Sequence, residues 1–146
     1  MICALLPTDL GALTALEAEA QSGASPRTLE RGLVDDAVVM LGAWRKEALV
    51  GYALVARLPF EAELQMISVA PRLRGQGIGR ALLEKTLAEA RAWQSERLLL
   101  EVRAGNAEAI KLYQAAGFST DGRRKNYYPA AGAAGREDAL LMSRAL

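Results

Sequence analysis

Apolar residues recur along this chain with two periods, two and about 3.6, and the switches between them predict its elements. Residues 2–6 predict a short edge strand. Thr8 or Asp9 is placed to cap a helix that carries Leu10, Leu13 and Leu16 on one face. Ser25 followed by Pro26 is a second helix start, with Leu29 and Leu33 on the buried side. Three strands follow at residues 37–44, 48–57 and 62–70, joined by turns at 45–47 and 58–61. Residues 81–93 predict an amphipathic helix with Leu82, Leu83, Leu87 and Ala90 toward a core. Residues 97–103 are a strand, and Asn106 caps a helix that ends at Gly117. Phe118 opens a further strand, and residues 138–143 close the sheet. The small residues and glycines of 130–135 predict a hairpin loop between them. The order β-α-α-β-β-β-α-β-α-β-β has no internal repeat and no linker, which predicts one α/β domain over residues 1–146.

Composition narrows the chemistry. The length of 146 residues suits one sizeable core, and a net charge of +1 gives no global pull toward nucleic acid or a membrane. No apolar run reaches the roughly 18 residues of a transmembrane helix, and the first residues lack the basic start of a signal peptide. The single cysteine, Cys3, has no internal disulfide partner, which suits a reducing cytoplasm. The absence of histidine excludes a Ser-His-Asp triad and a histidine-ligated zinc site within this chain, and no metal-ligand cluster is legible.

The most informative segment lies between the third consecutive strand and the helix at 81–93. It reads Arg74-Gly75-Gln76-Gly77-Ile78-Gly79-Arg80. A glycine-rich turn that opens a helix offers unpaired N–H groups and a favourable dipole to an anion, so it is a candidate phosphate cradle. A tight turn with no ligand is the alternative. The segment is neither a P-loop, which requires a Lys-Ser or Lys-Thr after the glycines, nor a dinucleotide fingerprint, because Leu82 stands where the third glycine is needed. It fits [QR]-x-x-G-x-G, with Arg74, Gly77 and Gly79 at the defining positions.

That motif resembles the pyrophosphate-binding loop of the GCN5-related N-acetyltransferases, and the order of elements is similar to that fold over nearly the whole chain. The resemblance is closest in the second half: residues 101–113, Gly117-Phe118, Arg123-Arg124-Lys125-Asn126-Tyr127-Tyr128-Pro129 and Arg136-Glu137-Asp138-Ala139 look like the RimI branch, the ribosomal-protein alanine N-acetyltransferases. It implies a single mixed, mostly antiparallel twisted sheet of about seven strands flanked by about four helices. It also implies acetyl-coenzyme A as co-substrate and direct attack by the amine in a ternary complex. The acceptor it points to is the N-terminal alanine of small-subunit ribosomal protein eighteen.

The residues carry their own chemistry beside the resemblance. An amine is a cation near neutral pH and must lose a proton before it attacks, and an α-amine, with a pKa near ~8, loses it more easily than a lysine near ~10.4. Glu101 is a candidate general base, directly or through a water; the other reading is a strand-end glutamate paired with Arg103 or another cation. Strand alternation puts Leu99, Glu101 and Arg103 on one face and Leu98, Leu100 and Val102 on the other, and it leads one to expect a carboxylate buried among leucines. A phenol near the acyl site can protonate the leaving thiolate, and the resemblance assigns that role to Tyr113, which helix packing would equally explain. By the resemblance, backbone N–H groups of Ile67, Ser68 and Val69, on a bulged strand, face the thioester oxygen. Cofactor contacts fall on residues 74–80, with Gly75, Gln76, Gly77, Ile78 and Gly79 through the backbone and Arg74 and Arg80 through side chains. Asn106 is both a helix cap and a contact for the pantetheine arm.

On the acceptor side, Tyr127 and Tyr128 wall a peptide groove by the resemblance, while a nucleic-acid patch at Arg123-Arg124-Lys125 has no second basic cluster to support it. Glu61, Glu63 and Glu137 are candidates for attracting a basic peptide. The chain departs from the RimI pattern between its first two helices, where residues 22–27 read Ser-Gly-Ala-Ser-Pro-Arg and the usual aromatic residues are missing. That departure keeps open a lysine side chain or a small amine as acceptor. A binding module that holds acetyl-coenzyme A without turnover is a third reading, disfavoured by Glu101 and Tyr113.

Overall fold

The computed structural model describes residues 1–129 and 135–146. Seven strands form one sheet: β1 (Ile2–Ala4), β2 (Val38–Arg45), β3 (Ala48–Arg57), β4 (Ala62–Val69), β5 (Arg97–Arg103), β6 (Ser119–Pro129) and β7 (Arg136–Ala145). Four α-helices flank it: α1 (Leu10–Ala20), α2 (Pro26–Val34), α3 (Ile78–Ala92) and α4 (Ala107–Ala115). The sheet order is β1-β2-β3-β4-β5-β7-β6, antiparallel throughout except for the parallel pair β4 and β5. This is the mixed, mostly antiparallel α/β sheet expected from the resemblance.

The sheet separates two cores. On one face α3 and α4 pack against it through Leu82, Leu83, Leu87 and Tyr113, joined by Phe118 just after α4, with Leu64, Leu98, Leu100 and Val102 beneath them. On the other, α1 and α2 bring Leu13, Leu16 and Leu29 against Met40, Tyr52 and Leu54. Leu82, Leu83, Leu87 and Ala90 are wholly buried, as the helical period requires.

Local chemistry explains the boundaries. Ser25 accepts the Thr28 N–H at 3.1 Å, capping α2 with Pro26 in its first turn. Asn106 does the same for α4, accepting the Ala109 N–H at 3.2 Å. Asp9 stands at the α1 cap, but its carboxylate turns back to the Leu6 N–H at 2.8 Å and closes the preceding turn. The expected start of α3 at residue 81 is corrected to Ile78. Gly77 adopts φ +86° and ends the loop there, so the Gly77 carbonyl already accepts the Ala81 N–H. β7 is longer than residues 138–143 and reaches back to Arg136, where it pairs with Pro129. Of the expected hairpin loop at 130–135, residues 130–134 lie outside the described residues.

Candidate active site

β4 and β5 run together for only three residue pairs, Ala62 with Leu98, Glu63 with Leu99 and Leu64 with Leu100, and then part. The cause lies in β4. Against β3, Leu54 pairs with Met66 and Val55 with Leu64, so Gln65 is an extra residue, a β-bulge. The bulge also shifts the faces: Leu64, Ile67 and Val69 all pack toward α3 and α4, while Met66 packs toward α1 and α2. Beyond the bulge, among the described residues, no strand pairs with the β4 edge at residues 65–69 on the β5 side. The bulge thus falls just before Ile67, Ser68 and Val69.

At the same end of the sheet the chain turns through Pro71–Leu73 into the glycine segment. Gly75 and Gly77 have φ of +77° and +86°, a region costly for any side chain. Gly77 caps α3 with no side chain, which leaves the N–H groups of Ile78, Gly79 and Arg80 without partners inside the helix. A Cβ at Gly79 would stand 3.7 Å from Leu112 and 3.8 Å from Val69. Gly79 therefore lies against the end of β4 and α4, with room for ordinary contact there. The start of α3 and the parted strands suit the two ends of an elongated ligand, an anion at the first and a reactive group at the second.

Arg74 and Arg80 are exposed, and neither enters an ion pair among the described residues. The Gln76 side chain accepts from Arg45 Nη1 at 2.8 Å, so the loop is tied to the β2–β3 turn. The sequence alone read Arg45 only as part of that turn.

The two candidate proton carriers lie on opposite faces of β5. Tyr113, on α4, is 5% exposed and packs on Phe118 with ring centroids 5.8 Å apart. Burial, with a smaller contribution from Tyr128, pushes its phenol up to about 12, so it stays protonated across the physiological range. Glu101 alternates away from Leu100 and Val102 onto the other face. The expected burial among leucines is corrected: its carboxylate pairs with Arg124 Nη2 at 3.3 Å, and 23% of the side chain is exposed.

Around Glu101 stands a connected set of rings and charges. The Arg124 guanidinium lies 5.1 Å from the Tyr127 ring centre, and Arg103 lies 4.5 Å from that of Tyr128. The two tyrosines meet edge to face at 4.9 Å. Burial raises the Tyr128 phenol, helped by Glu101 and Tyr127 and opposed by Arg103 and Arg124. Tyr127 and Tyr128 are aimed by a wide bulge in β6, where residues 125–127 face only Asp138. Asn126 sits there at φ +55°, its N–H held by Asp138 at 2.9 Å, while Arg136 donates to the carbonyls of Asn126 and Tyr127. Neither Arg136 nor Asp138 could be assigned this task from sequence, because a bulge leaves no periodic mark.

The acidic residues divide. Glu61 pairs with Arg97 at 2.6 Å and Glu63 accepts from Gln65 at 3.0 Å, both before the strands part. Glu137 is spent on the Gly105 N–H at 2.7 Å and on Arg103 at 3.4 Å. The segment lacking aromatics is held by polar contacts instead: Glu17 accepts from the Ser22 N–H at 2.7 Å, from the Ser22 hydroxyl, and from the wholly buried Tyr52 at 3.1 Å.

Two other features bound the choice of site. A hollow of about 450 Å³ between the β3–β4 turn and the end of α3, lined by Arg57, Phe60 and Trp93, carries no acid–base pair. Among the described residues no helix is long and apolar enough to cross a membrane, and no three metal-ligating side chains gather.

Comparison with known proteins places the fold in a family. The acetyltransferase (GNAT) family model matches residues 10–118. The N-alpha-acetyltransferase RimI of Mycobacterium tuberculosis is 38% identical over 153 residues, which cover 94% of this chain and 92% of that protein. An uncharacterized protein of Mycobacterium leprae is 40% identical over 151 residues, and the match covers 40% of its length. The crystal structure of the ribosomal-protein-S18-alanine N-acetyltransferase of Escherichia coli superimposes with a TM-score of 0.90 at 35% identity, covering 99% of this chain and 92% of that one. The family model over residues 10–118, a Mycobacterium tuberculosis relative covered to 92% of its length and the shared fold converge on one assignment: this chain belongs to the GNAT family and is an acetyl-CoA-dependent N-acetyltransferase of the RimI type.

Proposed function

We propose that this enzyme acetylates the N-terminal amine of a protein, and that its acceptor is the N-terminal alanine of ribosomal protein bS18, the substrate named for its Escherichia coli relative. The observation that carries the proposal is the position of Glu101 and Tyr113 on opposite faces of β5, where β4 leaves it. A donor lying along α3 and α4 and an acceptor arriving from the other face meet only at that gap.

Acetyl-coenzyme A, when bound, supplies an acetyl group activated as a thioester. The N–H groups of Ile78, Gly79 and Arg80, with the turn at residues 75–77, hold its pyrophosphate, and Arg74 and Arg80 add positive charge. Asn106 uses its oxygen to cap α4 and has its amide nitrogen free for the pantetheine arm. The open backbone edge at Ile67, Ser68 and Val69 donates to the acyl oxygen as negative charge develops. Glu101 takes the proton from the acceptor ammonium, directly or through a water. Tyr113, kept protonated by burial, returns a proton to the departing sulfur. Tyr127 and Tyr128 form the wall against which the acceptor peptide lies.

The α-amine is favoured because its pKa, near ~8, leaves about a tenth of it neutral at pH 7, against less than about a thousandth of a lysine amine near ~10.4. The test uses two peptides that differ only in where the free amine sits. One has an N-terminal alanine and no lysine; the other has a blocked N-terminus and one lysine. Mass spectrometry is expected to find acetylation of the first alone, and then of bS18 itself. Modification of the lysine peptide alone would overturn the reading.

A further inference from the structure

The Glu101 carboxylate already has a cation against it. Arg124 Nη2 stands 3.3 Å from Glu101 Oε1, on the face from which the acceptor would arrive. An acceptor reaches Glu101 as an ammonium, so guanidinium and ammonium would contend for one carboxylate. Among the described residues, Glu101 is the acid with which Arg124 pairs. Tyr128 stands close enough to be felt by Glu101, Arg103 and Tyr127, and the acids Glu137 and Asp138 are engaged by Arg103 with the Gly105 N–H and by Arg123 with the Asn126 N–H. Across the sheet from Glu101, β7 presents Leu141.

We propose that Arg124 is an internal competitor of the acceptor amine: it pairs with Glu101 in the free enzyme, swings off when the ammonium arrives, and returns once acetylation has removed that positive charge. The proposal rests on the reading of Glu101 as the group that meets the amine. Arg124 is built to exchange. Its side chain is 54% exposed, and a pair this open to water is weak enough to break on each turnover. It also has somewhere to go, since its guanidinium already lies 5.1 Å from the face of Tyr127 and retains that contact without the carboxylate. A neutral amide product has no charge with which to hold Arg124 away. The pair therefore favours release of the amide, at a modest cost to binding of the amine. Arg124 acts through Glu101 and is a positioning residue.

The test is steady-state kinetics of Arg124→Ala and Arg124→Lys with the N-terminal alanine peptide. Removing the competitor is expected to lower the KM for the peptide about two- to fivefold, the range set by an exposed ion pair. The KM for acetyl-coenzyme A stays unchanged, and lysine restores the parent value. Guanidinium chloride at a sub-denaturing concentration, against the same concentration of sodium chloride, then inhibits Arg124→Ala competitively with the peptide. A peptide KM that is unchanged or raised in Arg124→Ala would overturn the inference. Glu101→Gln separates this failure from a deeper one: if that variant keeps the parent activity, the role of Glu101 itself falls, whereas an impaired Glu101→Gln beside an unmoved Arg124→Ala removes only the competitor.

Discussion

Two neighbouring glycines separate the demands of folding from those of binding. Gly79 is the second residue of α3, in ordinary helical conformation, and a Cβ there meets Leu112 at 3.7 Å and Val69 at 3.8 Å, both normal contacts. Nothing in the fold requires glycine at this position. Glycine in a helix costs roughly 0.5–1 kcal/mol relative to alanine, and the lower end applies in a first turn. Gly79→Ala is therefore expected to stabilise the free enzyme by about 0.5 kcal/mol, which for a chain of this size raises Tm by about 1–2 °C. The same methyl group would stand beside the open N–H groups at the start of α3, between Val69 and Leu112. Losing one charge-assisted hydrogen bond from a helix N–H to phosphate, worth about 1.5–3 kcal/mol, weakens acetyl-coenzyme A binding by about 10–150-fold. Gly77→Ala should fall on the other side: its Cβ meets nothing within 4 Å, but φ of +86° costs an L-residue about 1–2 kcal/mol, so stability drops. Calorimetric titration with acetyl-coenzyme A and thermal unfolding of both variants decide the matter. Opposite shifts in stability and affinity for Gly79→Ala are the signature. A Gly79→Ala protein that binds with parent affinity would refute the cradle, and one that unfolds earlier would refute the account of its packing.

Tyr113→Phe removes only a hydroxyl from a buried ring; kcat is expected to fall by about 10²-fold with the KM for acetyl-coenzyme A unchanged, and full activity would make Tyr113 a packing residue. Glu101→Gln should lower kcat most at neutral pH and least at high pH, where the acceptor amine is already neutral; a uniform loss across pH would remove it as the base. Tyr52 and Tyr113 are both raised by burial from 10.0 to about 12, so the stability they confer is fully present below pH 10 and is lost as pH rises toward 12. Each accounts for at most about 2–3 kcal/mol of that loss, and Tyr52→Phe and Tyr113→Phe should each flatten the alkaline limb of chemical denaturation measured against pH. Asp138 is lowered by the Asn126 N–H and Arg123, so the order of the β6 bulge should persist at neutral pH and be lost as pH falls through the carboxylate range; amide exchange at Asn126 reads this directly.

What the sequence conveyed, it conveyed through period and punctuation. β3 and β5 match the runs expected at residues 48–57 and 97–103: β3 is apolar and buried from Leu49 to Ala56 and stops at Arg57, and β5 alternates in burial between Arg97 and Arg103. Ser25-Pro26 and Asn106 mark helix starts because a cap is a local chemical event. The start of α3 was harder to read. Glycines at 75, 77 and 79 look alike in sequence, yet only the first two have positive φ, and Gly79 is already helical. The bulge at Gln65 was illegible for a related reason: an extra residue leaves composition untouched and alters only which residues share a face. Long-range polar contacts were the other gap. Arg103 to Glu137, Arg124 to Glu101 and Tyr52 to Glu17 join residues 34, 23 and 35 positions apart, and no spacing rule reaches across a sheet.

The same irregularities account for the site. A regular β4 would continue alongside β5 and close the sheet, and Leu64 and Ile67 would then face opposite cores. With Gln65 inserted, both face α3 and α4, and the strand leaves its neighbour at the point where β5 turns Glu101 outward. The wide bulge of β6 lies two strands away across β7, and it turns Tyr127 and Tyr128 toward that opening rather than along the ladder. Each bulge is locked from outside its own strand: β4 by the Met66 contact with the α1–α2 core, β6 by Asp138 and Arg136 of β7. Acceptor preference should then respond to substitutions at Asp138 and Arg136, which would touch no substrate, as well as at the tyrosines they aim. Donor binding, which depends on the opposite face and the start of α3, should not.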